Sequence, residues 1–290
     1  MSTSIAQAIL EAAHDLRGAG VPDARREAGS LMAHALKRDR SFILGHADDQ
    51  LTSEEETSFR RYLELRMTGK PLQYITGNQE FFGLNFEVTP GVLIPRPETE
   101  LLVETALKLM VGSEQPPFIC DVGTGSGCIV ITLLHELREF PEASAVAIDI
   151  SEAALEVAQR NAVRHSVNDR VEFVVSDCFT KLNPGQLQFD LIVSNPPYVT
   201  EDAVNGLQRE VRDFEPRWAL EAGADGLSVV RRLLTEAAGF LKAAGYLVFE
   251  IGFDQSEAVT NMIDRKTWEL LDIHNDLQGI PRTVALKKHS

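Results

Sequence analysis

The chain has 290 residues, 44% of them hydrophobic and 24% charged, with a net charge of −15. That length is long for one domain and comfortable for two, and no apolar run approaches the roughly 20 residues that span a bilayer. Residues 1–85 set ten Lys and Arg against twelve Asp and Glu, so most of the negative charge falls on the rest, and no basic face suited to duplex nucleic acid is visible.

The opening Met1-Ser2-Thr3-Ser4 holds no basic region ahead of an apolar core. Glu11 and Asp15 do not suit a transit peptide, so a cytoplasmic protein is expected. Cys120, Cys128 and Cys178 lack metal-ligand spacing and read as reduced packing residues, with no metal expected.

In chain order, helices come first. Ser4 and Gln7 make a capping box ahead of Ile5, Ile9, Ala12, Ala13 and Leu16, and the pattern ends at Gly18-Ala19-Gly20. Pro22-Asp23 opens a second helix with Ala24, Ala28, Leu31, Met32, Ala35 and Leu36. Thr52 with Glu55, or Ser53 with Glu56, caps a third that carries Phe59, Tyr62, Leu63 and Met67. Helices this short must pack on one another, which predicts a small helical bundle over residues 1–70. Between 71 and 97, aromatic and β-branched residues punctuated by Gly77, Gly83 and Gly91 predict a β-hairpin joint. Pro95-Arg96-Pro97-Glu98-Thr99-Glu100 then leads into a helix from about Thr99; Arg96 between its prolines is either a fixed turn or an active-site wall.

From about 115 the pattern alternates. Apolar runs at 118–122, 145–149, 171–176, 189–194 and 245–250 are separated by helical patterns near 127–138, 151–165 and 226–243. Alternation of this kind predicts right-handed crossovers and a parallel sheet covered on both faces. Trp268-Glu269-Leu270-Leu271 and Thr283-Val284-Ala285-Leu286 are expected to pair at the end.

Ligands of open α/β sheets sit beyond the carboxyl ends of the strands, and the informative residues fall there. Asp121-Val122-Gly123-Thr124-Gly125-Ser126-Gly127 joins a strand to a helix whose first N–H groups are free. Its Gly-x-Gly-x-Gly spacing is not that of dinucleotide folds, and no Gly-Lys-Ser/Thr follows. Asp149 ends the next strand, where a carboxylate holds a ribose diol; as a helix N-cap before Ser151-Glu152 it would be equally at home. Asn195-Pro196-Pro197-Tyr198 closes the run 189–194. Two prolines offer no N–H and fix φ, so the chain leaves the strand stiffly with its carbonyls and the Asn195 side-chain oxygen unclaimed. Paired acceptors of this kind suit a planar NH2 group, and the Tyr198 ring can lie against its plane. Taken alone, the tetrapeptide reads as well as a loop that merely ends a strand.

The glycine turn, Asp149 and Asn-Pro-Pro-Tyr together resemble a class I S-adenosylmethionine-dependent N-methyltransferase. Pro71-Leu72-Gln73-Tyr74-Ile75, Ile94-Pro95-Arg96-Pro97-Glu98-Thr99-Glu100, Glu210-Val211-Arg212-Asp213-Phe214-Glu215-Pro216 and Asp276-Leu277-Gln278-Gly279-Ile280-Pro281-Arg282 narrow the resemblance to the PrmC/HemK family, the N5-glutamine methyltransferases of peptide chain release factors. The resemblance implies a Rossmann-like α/β methyltransferase sheet over 98–290, preceded by the hairpin linker (71–97) and an N-terminal helical domain (1–70) that recognises the release factor. It implies that Gly123, Thr124, Gly125, Ser126 and Gly127 wrap the methionine part of S-adenosylmethionine, that Asp149 holds the ribose, that Cys178, the residue after Asp177, flanks the adenine, and that Asp177 and Asn195 also bind the cofactor. The family often has tryptophan where this chain has Cys178. Asn195, Pro196, Pro197 and Tyr198, with Arg96, would bind the glutamine of the Gly-Gly-Gln motif of class I release factors; Asn195, Pro196 and Tyr198 are the expected catalytic residues, and S-adenosylhomocysteine is the expected product. The expected partner is thus a protein, with no nucleic acid or membrane, and a monomer is expected. The same tetrapeptide would also serve adenine N6, cytosine N4 or a ribosomal-protein glutamine. A non-catalytic cofactor-binding module is a further reading.

Overall fold

A computed structural model describes residues 3–290, so Met1 and Ser2, on which part of the leader reading falls, lie outside the described residues. Chain contacts divide it into two units, Met1–Asn78 with Gln208–Phe214, and Gln79–Leu207 with Glu215–Ser290.

The first unit is helical. Ile5–Gly18 and Ala24–Leu36 match the predicted helices, and both bury the alanine and leucine stripes that defined them. Ser4 Oγ accepts from Gln7 N–H at 3.3 Å, but the Gln7 amide turns to Glu11 Oε1 at 3.0 Å, so the predicted capping box is only half made. The box at Thr52 and Glu55 is complete, with Glu55 N–H donating to Thr52 Oγ1 at 3.3 Å and Thr52 N–H to Glu55 Oε2 at 2.8 Å; it starts the helix Ser53–Met67. Arg40–Gly45 and Leu72–Thr76 are also helical. At six and five residues they are too short to display a period, and the second occupies the start of the stretch read as hairpin. Ile5, Leu16, Leu31, Met32, Phe59 and Leu63 form the core of this unit.

One cation is buried in that unit. Arg66 is 1% exposed, donates Nε and Nη2 to Glu27, Nη2 to Glu210 of the short helix Arg209–Phe214, and Nη1 to the Lys70 carbonyl. Three acceptor groups satisfy a guanidinium that could not otherwise leave water.

Next in the chain comes the hairpin β1 (Asn78–Phe81) and β2 (Leu84–Glu87), which from Gln79 on belongs to the second unit. Phe82 (φ 53°) and Gly83 (φ 73°) both take left-handed backbone, as a tight two-residue hairpin turn requires. The apolar run Val92-Leu93-Ile94 forms no strand and passes as a loop tied down by Glu215, which accepts from Ile94 N–H at 3.3 Å. A single 3-10 turn, Pro97–Thr99, then feeds the helix Glu100–Met110.

Seven strands form the sheet: β3 (Phe118–Val122), β4 (Ser144–Asp149), β5 (Val171–Val175), β6 (Phe189–Ser194), β7 (Leu241–Glu250), β8 (Trp268–Asn275) and β9 (Pro281–Lys288). Their spatial order is β5-β4-β3-β6-β7-β9-β8; the first five run parallel, and β9 adds antiparallel to both β7 and β8. The late pair thus extends the sheet. Alternation sorts the side chains by face. Ile119, Ala145, Ala147, Leu191 and Val193 pack under helices Glu100–Met110 and Cys128–Glu136, whereas Cys120, Val146, Ile148, Ile192 and Phe249 pack under Ser228–Glu236 and Ser256–Met262. β7 begins at Leu241, inside the stretch 226–243 predicted as helix. Leu241-Lys242-Ala243-Ala244 carries helix-forming residues, yet Ala244 takes φ 60° and the register against β6 shifts between Phe189 and Leu191. Tertiary pairing overrides propensity there. Among the described residues, no helix is long and apolar enough to cross a membrane.

Replacing Arg66 with alanine strands Glu27 and Glu210 around an empty site. Since both carboxylates keep some contact with water, the expected loss is about 3 kcal/mol, the low end for breaking a buried pair. Urea unfolding followed by helical ellipticity measures it, and an unchanged midpoint would show that the two carboxylates are solvated without their cation.

Candidate active site

The carboxyl ends of β3, β4, β5 and β6 open on one cavity of about 210 Å³, within the second unit. Gly123, Gly125, Asp149, Asp177, Cys178, Asn195, Pro196 and Pro197 line it, each singled out above. Its other walls are Gly91-Val92-Leu93, Ser176, Trp218 and Glu221, among others.

The glycine turn needs its glycines. Gly123, Gly125 and Gly127 have φ of 74°, 56° and 81°, a region costly for any side chain. At Gly123 and Gly125 a Cβ would meet nothing within 4 Å, so backbone there faces open space. At Gly127 a Cβ would fall 2.7 Å from Ile131 Cδ1 and 3.2 Å from Ala158 Cβ, so this glycine lets the turn pack against its own helix. Thr124, Ser126 and Gly127 are absent from the cavity wall. Thr124 Oγ1 donates to Asp121 Oδ2 at 2.7 Å, bracing the turn from below. Burial pushes the Asp121 carboxyl up to about 7, and the nearby Asp149 charge adds to it.

Asp149 is held by backbone on both oxygens: Gly125 N–H donates to Oδ2 at 2.8 Å and Ser151 N–H to Oδ1 at 2.9 Å. Burial still raises its pKa, outweighing those bonds. The helix Glu152–Arg164 is capped by Ser151, whose Oγ accepts from Ala154 N–H, so Asp149 is not the N-cap. Its carboxylate instead fixes the glycine turn and lines the cavity.

At the end of β5, Ser176 Oγ donates to the Cys178 carbonyl at 2.6 Å and accepts from Lys181 N–H at 3.1 Å, holding Cys178 at φ 47°. Burial pushes the Cys178 thiol up to about 11, so it is a neutral wall group. Asp177 Oδ1 accepts from Arg232 Nη1 at 2.5 Å. Trp218, 55% exposed, shares the cavity lining with Cys178. A single exposed tryptophan in a stretch without periodicity gave no signal in the sequence.

Beyond β6 the prolines act as expected on the backbone. Among the described residues, none donates a hydrogen bond to the carbonyls of Asn195 or Pro196, whereas the Tyr198 carbonyl accepts from Gln255 Nε2 at 3.2 Å. Asn195 Nδ2 donates to Thr99 Oγ1 at 2.9 Å, and Thr99 Oγ1 donates to Glu250 Oε2 at 2.7 Å. Thr99 and Glu250 are 2% and 1% exposed. Neither was singled out as a site residue, because Thr99 lies 96 residues from Asn195 and Glu250 ends an ordinary apolar strand.

Tyr198 and Arg96 do not line the cavity. Burial and the charge of Glu250 push the Tyr198 hydroxyl up to about 12, so it stays protonated. The Arg96 guanidinium donates to Glu215 Oε1 at 2.5 Å, and that carboxylate also holds Ile94 N–H. Arg282 likewise donates to Asp276 Oδ2 at 3.1 Å, so two of the charged motifs work as internal ties. Among the described residues, no group of three or more His, Cys, Asp or Glu is arranged to hold a metal ion.

Two families match the chain, PrmC N-terminal domain over residues 7–77 and Methyltransferase small domain over residues 97–211. A release factor glutamine methyltransferase of Koribacter versatilis is 41% identical over 98% of this chain and 99% of its own. One from Nitratidesulfovibrio vulgaris is 40% identical over 94% of this chain and 92% of its own. A Pyrococcus furiosus methyltransferase of known structure shares the fold, with a TM-score of 0.53 at 19% identity over 72% of this chain and 91% of its own. With such identity sustained along nearly the whole of both sequences, the chain belongs to the release factor glutamine methyltransferase family.

Proposed function

We propose that the protein transfers a methyl group from S-adenosylmethionine to the side-chain amide nitrogen (N5) of the glutamine in the Gly-Gly-Gln motif of class I release factors. The observation that carries the reading is the Asn195 carboxamide at the cavity wall, whose Nδ2 is committed to Thr99 while Oδ1 and the Pro196 carbonyl have no donor among the described residues.

The residues present suit the cofactor. Backbone at Gly123 and Gly125 is open to close approach, and Asp149 is a buried acceptor at the cavity wall, matched to a pair of ribose hydroxyls. Trp218 offers the flat apolar surface that Cys178 does not. Bound there, S-adenosylmethionine supplies an electrophilic methyl group on a sulfonium.

The protein's own work is on the amide. An amide nitrogen is a weak nucleophile because its lone pair is delocalised into the carbonyl. Asn195 Oδ1 and the Pro196 carbonyl accept the two N–H hydrogens, fix the plane of the NH2 and favour the positive charge that builds on nitrogen. The prolines keep these acceptors from being claimed by main-chain N–H groups. An alkylated, protonated amide is a strong acid and loses its proton to water, so no dedicated base is required. The charged residues Arg96 and Glu215 brace the loop over 94–96. The N-terminal helices are assigned to release factor recognition, and the protein is taken to act as a cytoplasmic monomer on a protein substrate.

Incubation with labelled S-adenosylmethionine and a release factor, its Gln-to-Ala variant or DNA tests the reading; label on DNA alone would overturn it. Asn195→Ala is expected to cut kcat by about 10²–10³ while cofactor affinity holds, because one charge-stabilising acceptor is lost. Asp149→Ala is expected to weaken cofactor binding about tenfold or more through a lost hydrogen-bonded carboxylate, and calorimetry showing unchanged affinity would remove its ribose role. The second tryptophan, Trp268, is 1% exposed, so cofactor should change the fluorescence of the wild type and leave that of Trp218→Phe unaltered.

A further inference from the structure

A hydroxyl has one proton to give. Thr99 Oγ1 lies between Asn195 Nδ2 and Glu250 Oε2, at 2.9 and 2.7 Å, inside a pocket that excludes water from both Thr99 and Glu250. An ionised carboxylate only accepts, so Thr99 must donate to Glu250 and can show Asn195 nothing but lone pairs. The carboxamide of Asn195 has two ends of nearly the same shape, and packing alone does not choose between them. The direction of this chain does: Nδ2 must face Thr99, and Oδ1 is left for the substrate side.

We propose that Thr99 and Glu250 are positioning residues that set which end of the Asn195 carboxamide meets the substrate amide. The inference rests on the reading of Asn195 as an acceptor for that amide. Reversing the chain would put an NH2 group opposite an NH2 group, and the amide would be repelled instead of held. Reversal needs a proton on Glu250, which then donates to Thr99 and frees the hydroxyl to donate to Asn195 Oδ1.

The neighbourhood of Glu250 brings that proton within reach near neutrality. Glu98 and Arg96 act on it from the turn before Glu100–Met110, Arg282 from β9, Tyr198 from the exit of β6, and Cys128 lies within electrostatic range on its own helix. Burial and, after it, Glu98 raise the carboxyl to about 7 against the Thr99 hydrogen bond and the opposing pull of Arg282 and Arg96. Arg96 and Arg282 are themselves paired, with Glu215 and Asp276, which weakens that pull. The sign follows: above the pKa Glu250 is charged and the chain points correctly, and below it the orientation is lost. kcat should therefore fall on the acid side of neutrality although the chemistry needs no base.

The test compares Thr99→Val, Thr99→Ser, Glu250→Gln, Asn195→Ala and the double variant Thr99→Val/Asn195→Ala, with release factor and S-adenosylmethionine. Thr99→Val keeps the shape and loses the relay, so kcat should drop about 10–100-fold with cofactor affinity unchanged, and Thr99→Ser should restore most of it. The double variant should be no slower than Asn195→Ala, because Thr99 acts only through Asn195. Glu250→Gln should abolish the acid limb of the kcat profile. Multiplying losses in the double variant, or an acid limb that survives Glu250→Gln, would overturn the relay. Should Thr99→Val not fold, the Glu250→Gln profile decides by itself. Full activity in Asn195→Ala would instead overturn the amide-binding reading, so the two failures are distinguishable.

Discussion

Two consecutive residues without backbone N–H groups at the exit of β6 are the constraint around which the second unit is built. A strand that ended in ordinary residues could have its last carbonyls claimed by main-chain amides, as those of Val199 and Leu220 are in a parallel bridge. Pro196 and Pro197 supply no N–H to a tight turn there, and among the described residues no donor meets the Asn195 and Pro196 carbonyls. An open acceptor in a protein interior costs free energy unless a ligand or water meets it. Such a gap, kept at the carboxyl edge of a sheet, is the place where the proposed substrate amide would dock.

The rest of the site consists of groups that keep this opening rigid. Asp149 ties the glycine turn by accepting from Gly125, Thr124 braces the turn against Asp121, and Ser194 Oγ donates to the Val122 carbonyl at 2.7 Å, stitching β6 to β3 just below the cavity. Away from the cavity lining, Glu215 holds Ile94 and Arg96, while Thr99, held by Glu250, holds Asn195. Several of these groups are buried carboxyls with raised pKa. Asp121 and Glu250 each take up a proton on folding between their ordinary pKa and about 7, so they favour the folded state at mildly acid pH and lose that contribution as pH rises through neutrality. A site built from buried acids is not the most stable arrangement available to the chain. It is one that holds acceptors in fixed directions.

Much of this was legible in the sequence, because the signals were local. Glycines at positive φ, an acidic strand end and an asparagine with paired prolines each act within a few residues, and six of the residues they named line one cavity. The strands β3, β4 and β6 could be placed from their apolar runs, since a strand buried on both faces has little other composition available. What stayed hidden was either short or distant. Helices of five or six residues have no period to read, and the start of β7 is written in helix-forming residues. The Thr99–Glu250 pairing spans 151 residues, and no spacing rule reaches that far. Arg96 was legible as a rigid, charged position, but only the structure pairs it with Glu215.

The helical unit is not continuous in the chain: residues 208–214 return to it after a long excursion, and Glu210 supplies one of the carboxylates around Arg66. No single cut can therefore separate the two units cleanly. A fragment beginning at residue 79 would carry an orphaned helix with its acid stripped of a counterion, and the excised amino-terminal piece would keep Arg66 paired with Glu27 alone, one guanidinium donor short of an acceptor. Shuffling such a unit as an interchangeable module is correspondingly obstructed, since its residues come from two stretches of the chain.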